Sequence, residues 1–202
     1  MGLCVNCFGS GVDLGVYGRR PCGACHNTAT AQKIEQSITE LELLVDWHQG
    51  FMLIFVFSST AIIGNTVKEL VGDLLKNYEH PPLEVMSDGA PNHLVAVVEK
   101  LFDKHQHGQP VWLDLCLRDD THLTPAVHEG DQWDQQLIQI MSSLNKGRTP
   151  LEQSLGAPLF IHLPDSFASE VVTYAPDLWA IRQLLIAPSL DGELGLVSPS
   201  EA

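Results

Sequence analysis

The sequence lacks a long apolar run and has few basic side chains. Its longest uninterrupted apolar stretch is the seven residues 51–57, whereas a membrane-spanning helix needs about 18. The N-terminus has cysteines and glycines where a secretory signal would have its apolar stretch, which predicts a soluble, cytoplasmic protein. Only 11 Lys and Arg stand against 25 Asp and Glu, for a net charge of -14. Duplex nucleic acid needs clustered basic side chains, so this composition argues against that class of binder.

Two catalytic signatures are missing as well. The loop at residues 58–66 contains neither a G-x-x-x-x-G-K-[ST] nor a G-x-G-x-x-G phosphate-binding motif. No serine lies in a G-x-S-x-G context. The nearest groupings among the nine histidines have no partner set, so we expect isolated surface histidines, and we expect Cys116 to be a small buried apolar residue. No catalytic residue is predicted.

The sequence does contain enough apolar residues for a core, 45% of 202, and its composition changes near residue 27. Residues 1–26 hold Arg19, Arg20 and Asp13 and sum to +1, so the other 176 residues sum to -15 and the whole chain to -14. Glycine and cysteine are frequent before the change, and leucine, valine, isoleucine and aspartate after it. The predicted segments are a zinc finger (1–28), a linker helix (29–49), an α/β domain (50–190) and a disordered tail (191–202).

Four of the five cysteines form two C-x-x-C pairs, Cys4 with Cys7 and Cys22 with Cys25. The 14 residues between the pairs are typical of zinc ribbons. Two such turns present four thiolates that complete a tetrahedral site, so we predict one Zn²⁺ bound by these four residues. Paired disulfides or a redox dithiol are the alternative, which a reducing cytosol disfavours.

Residues 4–11, Cys-Val-Asn-Cys-Phe-Gly-Ser-Gly, resemble the C-x-x-C-x-G-x-G repeat of DnaJ-type zinc-binding domains. The second pair departs from the repeat, because His26, Asn27 and Thr28 follow it without the two glycines. No His-Pro-Asp tripeptide of a J domain is present, and that family's two zinc sites require four repeats. The resemblance implies zinc and a rigid surface for protein contacts or, less often, for RNA. In this sequence a local RNA contact would use Arg19 and Arg20.

After the cysteine pairs, helical and strand patterns alternate. Residues 28–47 contain no Gly or Pro, and Ile34, Ile38, Leu41 and Val45 recur at helical spacing, which predicts a connecting helix that packs on the next domain. A partner-binding helix is the alternative. Strands are predicted at 51–57, 83–86, 111–117, 159–163 and 182–187. Helices are predicted at 65–78, 93–105, 133–145 and 166–174. This alternation predicts a parallel sheet covered on both faces, a three-layer α/β fold.

Residues 144–151, 157–165 and 175–179 resemble inactive STAND-type NTPase-like domains of bacterial conflict and signalling proteins. The quoted segments read Leu-Asn-Lys-Gly-Arg-Thr-Pro-Leu, Ala-Pro-Leu-Phe-Ile-His-Leu-Pro-Asp and Ala-Pro-Asp-Leu-Trp. The resemblance implies a degenerate P-loop-NTPase-like domain without a Walker A motif, used as a switch or scaffold. From the residues themselves we predict structural roles. Asn145 and Arg148 link their helix to the sheet rim, while Pro176 and Trp179 lock the last helix on the sheet.

The leading hypothesis is a non-enzymatic, zinc-binding adaptor or regulatory protein of a bacterial anti-phage or signalling system. It would act through contacts with protein partners. Two alternatives stay open. One is a nucleotide-binding enzyme that uses residues 58–65 with Asp119 and Asp120. The other is an RNA-binding zinc-finger protein.

Overall fold

The computed structural model describes residues 12–13, 20–21, 29–86, 96, 98, 101, 105–116 and 127–188. Of residues 12–13, 20–21, 29, 31, 61–62 and 127–131 it describes the backbone alone. The predicted zinc ligands, Asp119, Asp120 and the predicted tail therefore lie outside the described residues. Within the predicted finger, strand β1 (Val12–Asp13) pairs antiparallel with β2 (Arg20–Pro21).

A five-stranded parallel sheet forms the centre of the domain. Its strands are β3 (Met52–Ser58), β4 (Leu83–Met86), β5 (Val111–Asp114), β6 (Pro158–Pro164) and β7 (Leu184–Ile186). They lie in the order β4-β5-β6-β3-β7, and every neighbouring pair is parallel. All residues of β3 are buried, which explains its nearly continuous apolar sequence. The predicted parallel α/β sheet is confirmed.

Helices connect the strands. They are α1 (Ala29–Trp47), α2 (Ala61–Leu74), α3 (Val127–Lys146), α4 (Arg148–Leu155), α5 (Ala168–Tyr174) and α6 (Pro176–Ile181), with 3-10 turns at Leu75–Asn77 and Asp165–Phe167. Residues 96, 98 and 101 are also helical. Helix α2 begins before the predicted residue 65 because the Thr60 hydroxyl accepts the Ile63 N–H at 3.3 Å and caps it. None of the helices in the described ranges has the length and hydropathy to cross a bilayer.

The helices cover both faces of the sheet. On one face, α1 and α2 bury residues such as Ile34, Leu41 and Val67 against Ile54 of β3. On the other face, helices α3 to α6 pack against a second core that includes Phe55. Because Ile34 and Leu41 are almost fully buried, α1 is part of one layer of the domain as well as a connection to it.

Strand β5 ends at Asp114, earlier than the predicted residue 117. The Asp114 carboxylate accepts the backbone N–H of Cys116 at 3.1 Å, which turns the chain two residues after the strand. The N–H of Leu115 still bonds to the His162 carbonyl at 2.9 Å. A local side-chain bond therefore competes with the ladder and ends it.

The predicted structural roles of Asn145 and Trp179 are confirmed, and that of Arg148 is not. Asn145 at the end of α3 accepts the Leu178 N–H at 3.0 Å, and so ties α3 to α6. The ring of Trp179 lies 5.8 Å from that of Phe55 on β3, so α6 is held on the sheet as expected. Arg148 instead pairs with Glu152 in its own helix at 3.5 Å, and its predicted link to the sheet rim is wrong.

Candidate functional site

Polar side chains meet where the three middle strands of the sheet end. Ser58 is the last residue of β3, Asp114 is the last of β5, and His162 lies on β6 between them. Ser58 is 4% exposed and His162 is 3% exposed, so both lie in the interior. Ser58, Asp114, Cys116 and His162 together form what we call the histidine cluster. Buried polar groups in an apolar sheet need hydrogen-bond partners, and these residues find them in one another.

His162 is the centre of the cluster. Its Nε2 lies 2.8 Å from the Ser58 Oγ, and its Nδ1 lies 3.0 Å from the Asp114 Oδ1. The Cys116 Sγ lies 3.4 Å from the same Nε2. The carboxylate can only accept, so in the neutral imidazole Nδ1 carries the hydrogen and Nε2 offers its lone pair to Ser58 or Cys116.

The charges of the cluster differ from those of the same groups in water. Burial alone would raise the pKa of Asp114, but the hydrogen bond and charge of His162, the Cys116 amide and the charge of Lys68 outweigh it and lower that pKa. Burial, followed by the charges of Asp114 and Asp165, raises the pKa of the Cys116 thiol. Asp114 is therefore an anion at neutral pH and Cys116 a neutral thiol, which makes the cysteine a poor nucleophile.

Helix α2 closes the space above the imidazole. A Cβ placed on Gly64 would lie 2.4 Å from Cε1 and 2.6 Å from Nε2 of His162, and 3.1 Å from the Ser58 Oγ. Real Cβ atoms do not approach so closely, so only glycine fits here. On the adjacent strand the ring of Trp112 lies 5.6 Å from the imidazole. The ring of His162 is therefore enclosed by the sheet and by the first turn of α2.

The cluster lies at the point where the sheet connections change direction. The chain leaves β3 through α2 on one face and leaves the adjacent β6 through α5 and α6 on the other. In doubly wound sheets, ligands bind in the crevice that such a divergence opens at the carboxyl ends of the strands. Ser58 and His162 lie on these two strands, so the histidine cluster occupies the place where this architecture usually holds a ligand.

Sequence reasoning did not find this cluster. Ser58 and Asp114 lie 104 and 48 residues from His162, so no local motif joins them. The expectation of surface histidines is wrong for His162, and Cys116 is half-buried against it instead of lying in the apolar core. The available signal was a single polar residue near the carboxyl end of each otherwise apolar strand. Of the residues named for a nucleotide enzyme, the cluster contains Ser58.

Part of the cluster has the composition of a metal site. Asp114, Cys116 and His162 each offer one ligand atom, and these atoms lie within 4.8 Å of one another. Nitrogen, sulfur and carboxylate ligands together suit borderline ions such as Zn²⁺. The structure thus contains a possible metal-binding triad, distinct from the predicted ligands Cys4, Cys7, Cys22 and Cys25, which lie outside the described residues.

Comparisons with protein-family models, with curated proteins and with solved structures find no match for this chain. The chemistry of the histidine cluster and the surfaces around it are therefore the grounds on which its function has to be inferred.

Proposed function

We propose that the chain is a non-enzymatic adaptor or regulatory protein that acts through protein contacts. The observation that carries this proposal is the position of His162. Its imidazole fills the space below Gly64, and both ring nitrogens are bonded within the protein. The crevice in which a doubly wound sheet would bind a ligand is thereby filled by side chains that satisfy one another.

The elements that would bind a phosphate also have protein partners. Phosphate loops need free backbone N–H groups at a helix start and a lysine that reaches the phosphates. In α2 the Ile63 N–H donates to Thr60, and Lys68 forms an ion pair with Glu84 at 3.1 Å. These contacts support a degenerate NTPase-like domain. The resemblance of residues 144–179 to STAND-type domains supports a role in bacterial conflict or signalling.

Helix α1 offers a surface for a partner. Trp47 is 86% exposed and Leu43, one turn before it, is 57% exposed. Large exposed apolar side chains one turn apart are typical of interfaces, where tryptophan is often the residue that contributes most to binding. The N-terminal segment would add a second surface if Cys4, Cys7, Cys22 and Cys25 bind Zn²⁺ as their spacing predicts. The antiparallel pairing of β1 with β2, between the two cysteine pairs, supports this proposal.

Calorimetric titration with ATP and GTP in the presence of Mg²⁺ tests the absence of nucleotide chemistry. We expect no heat of binding at millimolar nucleotide. Micromolar binding with magnesium-dependent turnover would contradict the proposal and would favour a nucleotide enzyme that uses the loop after β3.

Copurification from the native host tests the partner surface. We expect one protein to be retained by the wild type and by the control Val172→Ser, which changes another exposed apolar residue, 42% exposed on α5. Trp47→Ser should release it. Retention by all three forms would exclude α1 as the contact. Salt-sensitive RNA retention that depends on Arg19 and Arg20 would favour the RNA-binding alternative.

A second candidate function is serine hydrolysis, which the distances within the histidine cluster favour. Ser58, His162 and Asp114 have the contacts of a nucleophile, a base and an orienting carboxylate, in the chain order Ser, Asp, His of α/β-hydrolases. Attack on an ester requires its carbonyl carbon about 3–3.5 Å from the Ser58 Oγ. Gly64 of α2 closes that approach, which is why we rank this function second.

Labelling with a fluorophosphonate decides between the two functions. We expect no adduct on Ser58 under native conditions and no hydrolysis of p-nitrophenyl acetate above the rate with Ser58→Ala. An adduct at Ser58, with esterase activity lost in Ser58→Ala, would establish the hydrolase and overturn the non-enzymatic proposal.

A further inference from the structure

The outer edge of the histidine cluster contains a thiol and an imidazole nitrogen that share one hydrogen-bonding position. Nε2 of His162 has a single lone pair, because Nδ1 donates to Asp114. The hydroxyl of Ser58 and the thiol of Cys116 both lie within reach of that lone pair, at 2.8 Å and 3.4 Å. Only one of their two hydrogens is accepted at a time. A cation would use the lone pairs of sulfur and nitrogen together.

We propose that Cys116 and His162 bind an exchangeable Zn²⁺ ion, with Asp114 orienting the imidazole. This site is separate from the one predicted at the four N-terminal cysteines, and it does not depend on the proposed adaptor function.

The distances suit this ion with little movement. Zn–S bonds of about 2.3 Å and Zn–N bonds of about 2.0–2.1 Å at a tetrahedral angle separate sulfur from nitrogen by about 3.6 Å. The Sγ of Cys116 lies 3.4 Å from the His162 Nε2. The Asp114 carboxylate on the far nitrogen forms the carboxylate–histidine–metal arrangement that fixes the tautomer of zinc-ligating histidines.

Charge and access also favour a cation. Asp114 and Asp165 place negative charge around the thiol. The side chain of Asp114 is 13% exposed and Cys116 is half-buried, so this edge reaches solvent while Ser58 and His162 lie deeper. On binding, the Cys116 S–H bond breaks, its proton goes to the solvent, and a Zn–S bond forms. A Zn–N bond replaces the hydrogen bond from Ser58 to Nε2. Water completes the coordination.

Zinc content of the full chain tests the proposal. Wild type, Cys116→Ser, Cys22→Ser and the double variant are dialysed against micromolar zinc chloride, and bound zinc is measured by elemental analysis. We expect two equivalents in the wild type, one in each single variant and none in the double variant. Equal zinc in the wild type and Cys116→Ser would overturn the proposal. If the N-terminal cysteines bind no zinc, wild type and Cys116→Ser should hold one and zero equivalents, so the two predictions fail separately.

Titration with Co²⁺ in the Cys22→Ser background supplies a spectroscopic measurement. A sulfur-to-cobalt charge-transfer band should appear and should vanish with Cys116→Ser. Asp114→Asn should weaken binding about 10–100-fold, as loss of a carboxylate behind a ligating histidine does. Ser58→Ala should strengthen it, because the hydroxyl no longer competes for Nε2. Tight binding in Cys116→Ser, or no effect of Asp114→Asn, would contradict the assigned ligands. Unchanged far-UV circular dichroism of each metal-free variant serves as the control for folding.

Discussion

The two faces of the central sheet are built from the same strands, and they differ in the last layer before the carboxyl ends. On the face below α3 to α6, β3 stays apolar through Phe55 and Phe57. On the face below α2, the same strand ends in Ser58, which contacts His162 of its neighbour β6, and His162 contacts Asp114 of β5. A buried apolar layer is stabilised wherever it excludes water, whereas a buried polar layer must satisfy each donor and acceptor. The face below α3 to α6 therefore tolerates conservative substitutions, whereas the face below α2 requires particular residues at the carboxyl ends of its strands.

Phe55→Ala should be the most damaging of the changes considered, because it acts on the apolar face. The ring contacts Phe57 and Trp179 at centroid distances of 6.1 Å and 5.8 Å. Its removal should lower the free energy of unfolding by about 3–5 kcal/mol in chemical denaturation. The control Val172→Ala, at an exposed position, should stay within about 0.5 kcal/mol of the wild type. A loss below about 1 kcal/mol for Phe55→Ala would mean that this face is not the main apolar core.

Gly64→Ala tests the face below α2 without removing any atom. The added methyl would overlap the His162 ring and force it from its hydrogen bonds. We expect unfolding free energy to fall by about 2 kcal/mol after the helix-propensity gain of alanine is included.

Gly72→Ala is its matched control in the same helix, because nothing lies within 4 Å of that added methyl. It should stabilise the protein by about 0.5–1 kcal/mol. Equal effects of the two substitutions would show that His162 does not pack below Gly64.

The sequence predicts the apolar layers better than the polar one, for a physical reason. The continuous apolar character of residues 51–57 reflects burial on both faces, and each residue carries that information by itself. The five strands and their parallel arrangement followed from such runs. The sequence predicts less well a boundary that is set by a local polar bond. Strand β5 ends at Asp114, before the predicted residue 117, because the Asp114 carboxylate accepts the Cys116 N–H.

The histidine cluster depends instead on which strands become neighbours. Strand β6 lies between β5, which precedes it in the chain with helices α3 and α4 between them, and β3, which is the first strand of this sheet in the chain. His162 meets Asp114 and Ser58 only once that order exists. A polar residue in an apolar strand marks a position that needs partners, but a single sequence does not state where those partners come from.

Asp114→Asn should show a pH dependence that the apolar face lacks. The folded-state pKa of Asp114 is lowered, so its contribution is fully present above the unfolded pKa of about 4. It is lost as pH falls through the folded-state pKa. At pH 7 the variant should be about 1–2 kcal/mol less stable than the wild type, and the difference should shrink below about pH 4.

Asp73→Asn serves as the control for this titration, because Asp73 pairs with Lys76 on the surface. Its effect should lie within about 0–1 kcal/mol. A stability difference between the wild type and Asp114→Asn that is independent of pH from 7 to 3 would contradict an ionised Asp114 bonded to His162.

The smallest single effects should come from Ser58→Ala and Cys116→Ala, and their combination is informative. Each variant leaves His162 Nε2 with one remaining hydrogen-bond donor, so each should cost about 0.5–1 kcal/mol. The double variant leaves the buried lone pair without either donor, and should lose more than the sum of the two, by about 1 kcal/mol. Denaturation with a chelator present keeps cations from occupying the nitrogen. Strict additivity would show that the Cys116 thiol does not replace the Ser58 hydroxyl as the donor to Nε2. The hydrogen bonds of the polar layer would then run only from Ser58 through His162 to Asp114.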